Sequence, residues 1–145
     1  MATKIDEVCR MMVETVDDAL ACTVFDLGSG ELLGSHNCGV ALPDAAIAAA
    51  AELVQSSSIA RFERALRVLR GLPARDRHGV REIHVSSTDR EILARTMESR
   101  SAGMMLVMKK TTNVGMGYAQ LRAAGFVLEP LVPELPKART QARIG

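Results

Sequence analysis

Few side chains in this chain have the type and spacing that chemistry needs. His36 and Cys38 stand two apart, which puts both on one side of an extended strand, as a pair of metal ligands would be. Asp44 is the nearest carboxylate and no further Cys or His follows at finger-like spacing, so the pair reads as ordinary loop residues. A Cys–His catalytic pair would also need an orienting third group and an activated thiol, and nothing nominates either. Lys109-Lys110 followed by Gly115 and Gly117 has the composition of a phosphate cradle. The lysines precede the glycines, however, and GxxxxGK[ST] is missing. A helix N-terminus there can still hold an anion, but the glycines are better assigned to a strand-to-helix turn. No catalytic, cofactor-binding or metal-ligating residue is expected, and the chain is read as a non-enzyme.

The remaining candidates concern surfaces. Arg61, Arg64, Arg67 and Arg70 recur every three residues, so they drift around a helix rather than forming one stripe. Arg61, Arg64 and Arg67 are the candidates for contact with an acidic partner, against the plainer reading of a solvated face ion-paired to Glu63. His84 stands on the polar side of an alternating strand, where it could make an interface pH-sensitive or simply be exposed.

The elements that must position these residues are centred on Ser101 to Met108. This continuous apolar run ends at Lys109-Lys110 and suits a strand covered on both faces. Thr3 to Asp6 has the pattern of a capping box, and Ile5, Val8, Cys9, Met12 and Val16 then recur at helical spacing. Ala19 to Leu27 and Glu31 to Gly34 read as a hairpin across Gly28-Ser29-Gly30. Pro43 to Arg70 is the longest helical pattern, roughly 40 Å at 1.5 Å per residue, unless Ser56-Ser57-Ser58 breaks it in two. Val80 to Ser87 alternates as a half-buried strand, with Ile83 and Val85 on one side and Glu82, His84 and Ser86 on the other; Thr88 to Glu91 reads as a polar turn and Ile92 to Met97 as a further strand. A short helix carrying Tyr118, Leu121 and Arg122 is expected to close near Gly125. The fold class is therefore α+β: one five-stranded, mostly antiparallel sheet with helices on both faces, in the order helix, two strands, helix, three strands, helix. One domain is expected over residues 1–130, with a flexible tail over 131–145.

Composition bounds the partners. The 145 residues are 48% hydrophobic but 3% aromatic, so the core is aliphatic and little material remains for stacking on bases or sugars. A net charge of +1 supplies no field that would call for nucleic acid. Cys9, Cys22 and Cys38 have no CxxC spacing and read as free thiols, the first two as small core residues. No stretch reaches membrane-spanning length and no signal-like block follows the first Met. The expected setting is a reducing cytoplasm, without membrane insertion.

The element order and local sequence resemble the Roadblock family, the dynein-light-chain and small-GTPase-regulator fold related to profilin and longin domains. Ala21 to Gly30 lies at the family's first hairpin, and Glu82 to Ser87, Leu106-Val107-Met108 and Asn113-Val114-Gly115 continue the likeness. The resemblance implies a homodimer in which the strand starting at Val80 pairs with its twin and the long helices pack across the join. Ala46, Ala50, Glu82, His84 and Ser86 are then the candidate interface residues. It also implies a Ras-like small GTPase as partner, regulated or scaffolded without nucleotide hydrolysis by this chain, and no cofactor. The alternative is a small-molecule-sensing profilin-like domain with an apolar cavity at Phe25, Met104 or Met105. An enzyme would require His36, Cys38 and Asp44 to cluster in a cleft.

Overall fold

The computed structural model describes residues 2–39, 42–54, 57–73, 82–97, 102–110 and 113–132. Helix α1 (Lys4–Thr15) starts on the predicted capping box: the Thr3 hydroxyl accepts from the Asp6 amide at 3.1 Å, and the Thr3 amide donates to the Asp6 carboxylate at 2.8 Å. The other Asp6 oxygen accepts from the Ser35 amide at 2.9 Å, which ties the start of the helix to the sheet. These backbone donors, Thr3 first and then Ser35, hold the Asp6 carboxyl below its usual range.

Strands β1 (Ala19–Asp26), β2 (Leu32–Asn37), β3 (Glu82–Ser86), β4 (Arg90–Thr96) and β5 (Ala102–Lys109) form one sheet in the order β2-β1-β5-β4-β3. Every described pair is antiparallel. In the first hairpin Asp26 accepts from both the amide and the hydroxyl of Ser29, and Gly30 takes the φ of 72° that lets the chain return.

The apolar run is β5, the central strand, and its side chains alternate between two layers. Met104, Leu106 and Met108 enter a core with Cys9 and Met12 of α1 and with Leu121, Ala124 and Leu128 of α4 (Val114–Leu128). Met105 and Val107 enter a second core with Ala21, Phe25 and the residues Ile47, Ala50 and Ala51 of α2 (Asp44–Val54). Both faces are thus covered, and each large aliphatic side chain buried this way contributes about 1.5–3 kcal/mol.

Along the long helical pattern two helices are described, α2 and α3 (Ser57–Leu69); residues 55 and 56 between them, where the sequence allowed a break at the serines, lie outside the described residues. Two details differ from the sequence reading. The last helix is not short: α4 runs 15 residues through Gly125 and continues as a 3-10 turn over Glu129–Leu131. Gly125 does not stop it because Leu121 and Leu128 on either side are both anchored in the core. The fourth strand starts at Arg90 rather than Ile92, and this extension brings Glu91 into the sheet. Val80, from which the edge strand was expected to start, lies outside the described residues. So do the residues from 133 onward that were expected to form the tail, whereas Val132 is buried in the core.

Candidate interaction surface

The amphipathic pattern of α3 is at odds with its placement. Phe62, Leu66 and Leu69 lie at i, i+4 and i+7 and so share one stripe. The stripe faces solvent, with Phe62 67% and Leu69 83% exposed. Ala60, by contrast, is buried, and Glu63 and Arg67 are half-buried. Arg67 donates to the carbonyl of Pro73 at 2.9 Å, closing the helix end. Among the described elements, none packs extensively on α3. An apolar stripe of this kind on a helix that turns its polar side inward marks a surface made to be covered.

Strand β3 is the second open feature. It is an edge strand that pairs only with β4 among the described strands. The register sets its side chains. Val85 stands opposite Ile92 and shares the α2 side with it, and His84 stands opposite Leu93 on the α4 side.

On that α4 side the polar residues of β3 are engaged within the chain. Glu91, almost fully buried, accepts from Lys110 at 2.8 Å, from Ser86 at 2.8 Å and from His84 at 2.5 Å. Lys110 first, then His84 and Ser86, hold its carboxyl down at about 2. Glu82 accepts from Arg95 and takes a bidentate contact from Arg122 of α4, at 2.7 and 2.8 Å. Arg122 is the main reason its carboxyl is also lowered. The ring of Tyr118 packs edge-on to His84 and lies under the Arg122 guanidinium, and burial raises its phenol above the usual value.

The sequence candidates are therefore distributed as follows. Glu82, His84 and Ser86 do share one side of β3, but their side chains clamp it to β4, Lys110 and α4. Ala50, offered as an interface residue, is 7% exposed because it packs on its own sheet; Ala46 is half-buried. Arg61 and Arg64 are exposed to one side of the apolar stripe. His36 lies in β2 opposite Cys22, Cys38 is exposed beyond the strand, and no group of three potential metal ligands forms among the described residues. Lys110 is bound to Glu91, while a Cβ on Gly117 would come within 2.8 Å of the Met108 sulfur, so this glycine serves helix-on-strand packing. Met104 is packed into one core, and Phe25 and Met105 into the other. Cys9 and Cys22 are fully buried, and their contact together with burial pushes the Cys22 thiol well up.

Sequence reasoning missed Glu91, which it read as a turn residue, and weighed Lys110 only as part of a phosphate cradle, not as its partner. Alternation would have found Glu91 once the strand was started at Arg90, because it then shares a side with Leu93 and Arg95.

A five-stranded antiparallel sheet in this order, with α1 and α4 on one face and α2 on the other, defines the class: it is the Roadblock/LC7 fold. Among solved structures, the chain is similar to a Roadblock/LC7 domain from Streptomyces avermitilis, with a TM-score of 0.68 at 14% identity, covering 89% of this chain and 98% of that one. It is similar to Myxococcus xanthus MglB, with a TM-score of 0.65 at 16% identity over 89% of this chain and 94% of that one. An MglB in a tetrameric arrangement gives 0.65 at 18% identity, over 91% and 93%. No family model and no curated protein matches the sequence. At identities this low the structural likeness establishes the fold alone.

Proposed function

We propose that this chain is a non-enzymatic homodimeric module that regulates or scaffolds a Ras-like small GTPase in the cytoplasm. The observation that carries the self-association is the solvent-facing stripe of Phe62, Leu66 and Leu69 on α3. The edge of β3 supports it, since two copies of this edge can pair across a two-fold axis and continue the sheet. In such a dimer the α3 stripes cover one another, and Arg61 and Arg64 remain outside as the basic face for the GTPase. Glu82, His84 and Ser86 then act indirectly, by fixing the edge strand against α4. The likeness to MglB and to Roadblock/LC7 domains supports the regulator reading, and the tetrameric arrangement of one MglB supports self-association.

Light scattering at micromolar concentration tests the first half: a dimer is expected for the native chain and a monomer for Phe62→Glu. A native chain that stays monomeric removes the proposal. For the second half, the dimer is used as bait, and any Ras-like GTPase recovered is tested in its GDP and GTP states. Binding that Arg61→Glu with Arg64→Glu leaves unchanged would remove the assigned face. The small-molecule alternative gains no support at Phe25, Met104 and Met105, whose side chains fill the two cores.

A further inference from the structure

The helical layer on the other side of the sheet carries an apolar groove that neither the α3 stripe nor the β3 edge uses. Val8, Met11 and Thr15 of α1 and Gln120, Ala123 and Val127 of α4 line it, around a space of about 160 Å³. An apolar cavity of about 150 Å³ already admits benzene, so one large side chain fits. The apolar surface continues outward over Met116 and over Phe126, which is 79% exposed. Between Val114 and Leu128 the one charged residue is Arg122, and it is held by Glu82. A helix that is uncharged around nearly its whole circumference is suited to burial on more than one side, yet among the described residues α4 is covered on one.

The charge around the groove says what covers it. Residues 4–18 and 114–132, which form this layer, hold six carboxylates (Asp6, Glu7, Glu14, Asp17, Asp18, Glu129) against three cations (Lys4, Arg10, Arg122), in a chain whose totals are 17 acidic and 18 basic. Glu7 and Glu14 stand on the outer side of α1 next to Met11 and share a single guanidinium, that of Arg10. A second copy seated here through a two-fold axis would set this acidic rim against itself, and like charges disfavour such a contact.

We propose that the groove docks an amphipathic helix of a partner protein whose apolar ridge is flanked by Lys and Arg. A large ridge side chain enters between Met11 and Ala123, the small Ala119 and Ala123 let the incoming backbone approach, and the flanking cations meet Glu7 and Glu14. This surface is separate from the proposed dimer and GTPase faces and does not depend on them.

The test is a titration of the full chain, followed by NMR, with three synthetic peptides: a Leu/Lys amphipathic helix, its Leu/Glu counterpart, and a Leu/Lys peptide of equal composition scrambled to break the ridge. Shifts at residues 8–15 and 119–127 are expected, with the Leu/Lys helix binding about tenfold or more tighter than the other two. Ala123→Arg is expected to abolish those shifts, while Phe62→Glu leaves them in place. Glu7→Lys with Glu14→Lys leaves the groove lining intact and is expected to reverse the preference toward the Leu/Glu helix. Equal affinity for the Leu/Lys and Leu/Glu helices, shifts centred on α3 or β3, or a preference unmoved by the charge reversal overturns the proposal. So do shifts at the same residues on raising the concentration of the peptide-free chain, which assign the face to a second copy.

Discussion

Glu91 accepts from three donors on two parts of the chain: His84 and Ser86 on β3, and Lys110 just after β5. Its carboxyl titrates at about 2 instead of its ordinary 4.5, so the unfolded chain takes up this proton first as the pH falls. The stability it contributes is complete above 4.5 and is lost between 4.5 and 2. Urea unfolding across that range is expected to show Glu91→Gln less stable than the native chain at neutral pH and flatter toward acid. The slope that remains belongs to Glu82 and Asp6, also held low. Identical acid limbs for the two proteins would show that the three donors do not act through the charge. None of this is legible from residue types, because His84 and Ser86 are read along the chain as parts of one strand, Glu91 as part of a turn and Lys110 as the end of another strand.

At the scale of elements, α1 and β2 approach closely at Gly34. A Cβ on Gly34 would lie 2.9 Å from the Cβ of Ile5 and closer still to its Cγ2. Neither Cβ can rotate away, so Gly34→Ala has to push α1 off the sheet and strain the Asp6–Ser35 contact. A loss of about 1–3 kcal/mol is expected from the denaturant midpoint. Ile5→Ala added to Gly34→Ala is expected to recover part of it, since the two side chains then share the space of one. A neutral Gly34→Ala would mean that α1 is less closely seated than its cap and core contacts imply. In the sequence this glycine is only the end of the return strand of the first hairpin. Its use, a close approach of a helix that precedes it by almost thirty residues, is not legible there.

At the scale of the whole molecule, the prediction concerns linkage. If α3 stripes and β3 edges close a dimer, folding and association are one equilibrium and the midpoint of thermal unfolding rises with chain concentration. Phe62→Glu is expected to remove that dependence while leaving the far-ultraviolet circular dichroism unchanged, since Phe62 contributes little to the core of its own chain. A midpoint independent of concentration in the native chain would leave the exposed stripe without the partner assigned to it.

The sequence by itself determined the layers. An eight-residue run without a charge can be buried only if both its faces are covered, and the helical periodicities on either side of it supply the covers. The cap at Thr3, the first hairpin, the element order and the antiparallel sheet follow from local chemistry and short connections for the same reason. Only the tertiary structure decided which residues are spent and which are left over. Amphipathicity says that a helix has an apolar side, but not whether its own chain covers that side, and α1 and α3 have comparable patterns with opposite fates. Burial and ion pairing are properties of contacts between distant residues, so the engagement of Glu82 and His84, the exposure of Phe62 and the groove between α1 and α4 could be read only from the folded chain.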